Sequence, residues 1–219
     1  MDANDPLASV RSAYDAVAES YSKLLPDAGF EAPADRGMIE AFAAHVKGCN
    51  RGPVADVGCG TGRMTRFLTS LGIDAAGIDA SAGMIDVARR SHPGLGFEVA
   101  ELANLPYADA QLGGVFAWYS IIHSAPHDLA GVFAEFFRVL APGGYALVSF
   151  QAGEGTRHIS RAYGHDVSME AQLFLPATVT DHLATAGFRP VAQMTREPRG
   201  FEQIPQAVVL VERPEQLLH

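Results

Sequence analysis

Cysteine is scarce in this chain: Cys49 and Cys59 are the only two among 219 residues, and no C-x-x-C pair occurs. That excludes a disulfide framework and makes a reducing, cytoplasmic compartment the expectation. No apolar run approaches the ~20 residues a membrane span needs, so no membrane partner is expected. The opening stretch MDANDPLASVRSAYDAV has no basic region followed by an apolar one, so no secretory signal is expected. Basic runs are absent as well. Lys and Arg total 16 against 25 Asp and Glu, a net charge of −9. This disfavours nucleic acid as a partner and modestly favours cationic ligands. Repeats and low-complexity tracts are absent too. What is present is 48% hydrophobic and 19% charged residues, enough for a sizeable core in one domain, monomeric or homodimeric.

The chain alternates helix and strand patterns. Asp5-Pro6 opens a helical pattern to about Leu24, with Val10, Tyr14, Val17 and Tyr21 on one face, and Pro26 stops it. A second helix is predicted from Asp35 to Val46. Strands are predicted at 53–57, 73–78, 96–100, 113–118 and 145–150, separated by helices at 62–71, 81–90 and 129–140. Such alternation predicts a parallel sheet covered on both faces. The segment 156–174 then reads as a hairpin around Gly164, followed by a helix at 177–186 and strands at 188–196 and 207–211. The short link REPRGFEQIP favours an antiparallel last pair. One domain over 1–219 results: a helical cap (1–50), a ligand-binding core (51–150), an insertion after strand five (151–175), and a C-terminal helix and strand pair (176–219).

The most informative stretch is VADVGCGTGRMT, Val54 to Thr65. A strand, a glycine-rich turn and a helix place backbone N–H groups and a helix N-terminus beside a ligand. The spacing is GxGxG, not the GxGxxG of dinucleotide sites, and no phosphate-loop lysine follows. Asp56 stands just before the turn. It suits a ligand ammonium group, or else caps loop amides. Asp79 ends the second strand, where a carboxylate can accept both hydroxyls of a ribose; Ser81 is free to cap the following helix. Glu101, after the third strand, can accept from an adenine amine while the Leu102 amide donates to a ring nitrogen; the alternative is an exposed loop glutamate. The three acids lie along the carboxyl edge of the sheet, where open α/β folds bind ligands. They describe a ligand with an amino group, a ribose and an adenine, and leave no place for a pyrophosphate.

VADVGCGTGRMT, GIDAS, AELANLPYAD, SIIHSAPHD and RVLAPGGYALVSF occur in that order. In this the chain resembles the class I S-adenosylmethionine-dependent methyltransferases over about Val54 to Phe150. YDAVAESY resembles a cap helix of the family's small-molecule branch, the methyltransferase type 11-like proteins. The resemblance implies a Rossmann-like, doubly wound α/β sheet of seven strands, mostly parallel with one antiparallel strand. It implies S-adenosylmethionine as methyl donor, with S-adenosylhomocysteine as product, and a small-molecule acceptor methylated on O or N. Asp56 then serves the methionine end, Asp79 the ribose and Glu101 the adenine. Tyr14, Tyr21 and Trp118 surround Gly58, Cys59, Gly60 and Thr61 of the loop, with Ala80 and Met84 after the second strand and Leu102 after the third. Two positions depart from the family pattern: Leu112-Gly113 stand where Phe-Asp is common, and Glu101 replaces an aspartate.

Methyl transfer asks mainly for alignment and exclusion of water. A base is needed for a hydroxyl nucleophile. His123, after strand four, is the candidate base or else a lining residue. Tyr119, His123, Arg157, His158 and Tyr163 form the expected acceptor side. In a hairpin, Arg157, Ile159 and Arg161 share one face, opposite His158 and Ser160, and one face can bind an acidic or phenolic group. Arg36 is placed near the methionine carboxylate. No metal is expected: Pro126 interrupts the His123–His127 spacing, and no third ligand is evident. A nicotinamide oxidoreductase and a non-catalytic S-adenosylmethionine-binding protein are the alternatives.

Overall fold

The computed structural model describes residues 7–200 and 202–215. Its elements run α1 (Ala8–Leu24), α2 (Pro33–Cys49), β1 (Val54–Val57), α3 (Arg63–Ser70), β2 (Ala75–Asp79), α4 (Ala82–Ser91), β3 (Phe97–Val99), β4 (Leu112–Trp118), α5 (Leu129–Val139), β5 (Leu140–Gln151), β6 (Gly155–Ala162), β7 (His165–Leu173), α6 (Pro176–Thr185), β8 (Arg189–Arg196) and β9 (Gln206–Glu212). The expected helix start at Asp5-Pro6 lies outside the described residues.

Seven strands form one sheet in the order β3-β2-β1-β4-β5-β9-β8. β9 is antiparallel to both of its neighbours, and the other six strands share one direction. β6 and β7 form a separate two-stranded sheet, the hairpin anticipated around Gly164. Its turn takes positive φ at both Tyr163 (53°) and Gly164 (87°), the twist that suits a two-residue hairpin link. β5 is longer than expected: Leu140 already pairs with Leu112 before a register shift, and the Gly143 amide donates to the Arg213 carbonyl.

The central strands β1, β4, β5 and β9 are buried on both faces and so are largely apolar rather than alternating, whereas the edge strands β3 and β8 are mostly exposed. Along β1, Ala55 and Val57 join the layer with Phe133 and Phe136 of α5 and Leu183 of α6. Val54 joins the opposite layer, with Ile39, Phe42 and Val46 of α2 and Leu68 of α3. Of the segment expected as a cap, α2 therefore covers the sheet, and α1 alone crosses the carboxyl edge. There Val17 and Ala18 pack on Met84 and Val87 of α4. The side chain of Asp15 fixes this docking: it accepts from the Ser81 hydroxyl (2.6 Å) and the Gly83 amide (2.8 Å) at the start of α4. Ser81 caps that helix itself, accepting from the Met84 amide at 3.0 Å.

Candidate functional site

A cavity of about 850 Å³ opens at the carboxyl ends of β1, β2 and β4, beneath α1 and the β6–β7 hairpin. The turn after β1 forms its floor. Gly58 and Gly60 have φ of 76° and 55°, a region that disfavours side chains. A Cβ on Gly58 would also lie 2.2 Å from the Ser120 Cβ, so the residue there has no room to grow.

Asp79, at the end of β2, lines the cavity. One carboxylate oxygen accepts from the Gly60 amide and the other from the Ser81 amide, each at 2.8 Å. The carboxylate is thus aimed by backbone, and its remaining lone pairs stay available to a ligand. Burial pushes its pKa up, against the pull of those two amides.

Asp56 is placed differently. It is 1% exposed and points into the layer under α3, where it accepts the Thr65 hydroxyl at 2.6 Å. It does not line the cavity. Burial raises its carboxyl to about 7, against the hydrogen bond from Thr65 and the charge of Arg63. Between the ordinary carboxylate value of 3.8 and about 7, the folded state binds more protons than the unfolded one. Asp56 thus contributes stability that is full below about pH 4 and is lost as pH rises through 7. Asp56→Asn keeps an acceptor for Thr65 and removes the titration. Urea melts between pH 4 and 8 should show its stability falling less with pH than that of the wild type; parallel profiles would contradict this.

His123, which also borders the cavity, sits in a short turn (Ile121–His123) after β4. Its Nδ1 is 2.7 Å from the Glu170 carbonyl oxygen, which only accepts, so Nδ1 carries the proton. Nε2 is then the acceptor for the Tyr14 hydroxyl of α1, at 2.8 Å. Burial, reinforced by the charge of Arg157, lowers the His123 pKa, which keeps the imidazole neutral at pH 7. Burial, with Tyr163 and Tyr21 nearby, raises that of Tyr14 and keeps its hydroxyl protonated. Tyr21 meets Tyr163 edge to face at 4.7 Å, and Ser20 bonds His165 at 2.8 Å, so α1 is tied to the hairpin as well as to α4.

Of the expected donor-side residues, Tyr14, Tyr21, Gly58, Gly60, Asp79 and Ala80 border the cavity, as do Met84, Glu101, Leu102 and Trp118. Glu101 is half exposed and shares its carboxylate with Arg11 at 2.7 Å. Cys59 and Thr61 are turned inward; the Cys59 side chain packs with Ile85, Ala88 and Phe97. On the acceptor side, Tyr119, His123, Arg157 and Tyr163 border the cavity, whereas His158 points outward, as β-strand alternation requires. Arg36 is exposed over the Phe67 ring, away from the cavity. The arginine that does reach it is Arg63, the first residue of α3. Arg63 donates to the buried Glu31 at 2.6 Å, and Glu31 also accepts from the Trp118 indole at 3.2 Å. Position was the available signal for Arg63, which directly follows the GTG of the turn; Glu31 gave none. Among the described residues no helix is long and apolar enough to cross a membrane, and no cluster of metal-ligating side chains stands together.

Residues 54–144 match the model of the family described as "Methyltransferase domain". Malonyl-[acyl-carrier protein] O-methyltransferase of Serratia marcescens is 27% identical over 164 residues, which cover 74% of this chain and 64% of that protein. Demethylmenaquinone methyltransferase of Chlorobaculum parvum is 29% identical over 143 residues, 64% of this chain and 58% of that protein. The chain therefore spans about two thirds or less of the length of these two relatives. Among solved structures, 1,6-didemethyltoxoflavin-N1-methyltransferase of Burkholderia thailandensis, with 1,6-didemethyltoxoflavin and S-adenosylhomocysteine bound, shares the fold. Its TM-score is 0.69 at 19% identity, over 95% of this chain and 88% of that one.

Proposed function

Because the chain belongs to the class I S-adenosylmethionine-dependent methyltransferases, we propose that it methylates an oxygen or nitrogen atom of a small molecule held between β4, α1 and the β6–β7 hairpin. The observation that carries this reading is one cavity bordered both by a backbone-aimed carboxylate, Asp79, and by the hydrogen-bonded Tyr14–His123 pair. The nicotinamide alternative falls with the family assignment.

The residues present fit the donor. The left-handed glycines strip side chains from the turn where its chain must pass. Asp79 offers lone pairs to a diol. Ser120 Oγ and Gln151 Oε1 are buried polar atoms on the cavity wall without partners, ready for polar groups of a ligand. When bound, S-adenosylmethionine supplies a methyl group on a sulfonium, open to in-line displacement by a lone pair.

His123 and Tyr14 handle the proton of a hydroxyl acceptor. The Glu170 carbonyl holds the imidazole in the tautomer whose Nε2 is basic. As an acceptor proton passes to the Tyr14 oxygen, the Tyr14 proton moves to Nε2. Neither group has to ionise at rest, in keeping with their shifted pKa values. α1 and the hairpin close over the cavity and exclude water.

Calorimetric titration tests the reading. Saturable one-site binding of S-adenosylmethionine and S-adenosylhomocysteine, with none of a nicotinamide dinucleotide, is expected, followed by methylated product in a small-molecule acceptor screen. Folded protein that binds neither nucleoside would overturn it.

A further inference from the structure

The cavity holds several charged side chains, and nearly all are already matched. Among its acids, Glu31 is bound to Arg63 and Trp118, Glu101 to Arg11, and Glu202 to Arg196. Asp79 accepts from two backbone amides, and Asp128 lies 3.5 Å from His127. Two arginines of β6, Arg157 and Arg161, are the exceptions: both border the cavity and neither makes a hydrogen bond or ion pair with a described residue, and the Nε of Arg157 is buried without an acceptor. Arg157 as a whole is half-buried, with its Nε turned inward and no acceptor beside it, and a bidentate oxyanion is the group that best matches such a guanidinium.

The surroundings say where such an anion sits. Arg157, Ile159 and Arg161 share the cavity face of β6, so a second cation and an apolar side chain lie on the same wall. Arg157 borders the same cavity as His123, Tyr14 and Tyr163, and its charge acts on all three; Asp79, at the end of β2, acts on Tyr14 as well. In a chain of net charge −9, an unmatched arginine on this wall does not reflect a generally basic surface.

We propose that Arg157 anchors a carboxylate carried by the methyl acceptor, so that the substrate class is small organic acids with an apolar body. This deepens the methyl-transfer reading and rests on it. A neutral analogue of the same shape leaves the guanidinium unmatched and is rejected.

The test uses the whole chain saturated with S-adenosylhomocysteine. It is titrated with benzoate and 3-hydroxybenzoate, each paired with its neutral amide, and the wild type is compared with Arg157→Gln and Arg157→Lys. The expected result is that the acids bind and the amides do not. Arg157→Gln should weaken acid binding roughly 10- to 100-fold, and Arg157→Lys should recover part of it. S-adenosylhomocysteine affinity should stay within about twofold. Because Arg157 has no partner to lose, the variants should fold, which circular dichroism checks. Three results would overturn the proposal. In the first, the variants lose S-adenosylhomocysteine affinity, which would give Arg157 to the donor's own carboxylate. In the second, acids and amides bind alike, and in the third, donor-loaded protein binds no carboxylate. Failure to bind S-adenosylhomocysteine at all would instead strike the methyl-transfer reading.

Discussion

His123→Ala is expected to lower kcat on a hydroxyl acceptor by about 10²- to 10⁴-fold, the range over which a positioned base acts. S-adenosylhomocysteine affinity should hardly change, because the ring meets Tyr14 and the Glu170 carbonyl, not the glycine turn. The same contacts give a further signature. Tyr14→Phe removes the hydroxyl between acceptor and imidazole but leaves the ring packing, so it should lower kcat in the same direction with little loss of stability. In the wild type, kcat should rise with pH through a value below that of an ordinary histidine and then level off, since burial lowers the His123 pKa. Single-turnover assays with donor in excess separate this from slow product release. Unchanged kcat in both variants would mean that the pair only lines the cavity.

Asp79→Ala is the second large effect. A ligand diol would engage the carboxylate through charge-assisted hydrogen bonds, each worth about 1.5–3 kcal/mol. Losing both should weaken S-adenosylhomocysteine binding by roughly 10²-fold or more, read by calorimetry. The variant also leaves the Gly60 and Ser81 amides without their acceptor, so a stability loss of about 1–3 kcal/mol should accompany it. Asp79→Asn keeps one acceptor and separates the two effects: it should retain more stability than Asp79→Ala while still binding the nucleoside weakly. Wild-type affinity in both variants would remove Asp79 from the donor site.

The antiparallel last pair and the hairpin around Gly164 could be read from sequence, because each has a local cause; the order of strands across the sheet has none and was not legible. Continuous apolar runs mark strands buried on two faces, and Tyr163-Gly164 marks a tight link. The face of β6 was legible too, since alternation along a strand needs no tertiary knowledge, and Arg157, Ile159 and Arg161 do line the cavity while His158 points away. Asp56 was harder to read. Whether an acid at the end of β1 turns toward the ligand or the helix layer depends on Thr65, which reaches it only once α3 has docked. Side chains in the turn, Cys59 and Thr61, are aimed by the positive φ of their glycine neighbours, and composition does not encode that direction. α2 and α1 carry similar amphipathic patterns, so the pattern alone could not tell that α2 covers the sheet while α1 crosses its edge. Glu31 meets Arg63 and Trp118 from a loop far away in sequence, a contact that only the folded chain supplies.

The β6–β7 hairpin forms a sheet of its own and meets the seven-stranded one through a bridge at its base, where the Phe174 amide donates to the Gln151 carbonyl at the end of β5. With α1 it supplies much of the wall opposite the glycine turn. Lineages descended from such a chain can therefore lengthen or shorten the hairpin while leaving the pairing of the seven strands intact. On the proposed reading, acceptor choice would then vary largely apart from the sheet edge, by exchange of peripheral parts around an unchanged frame.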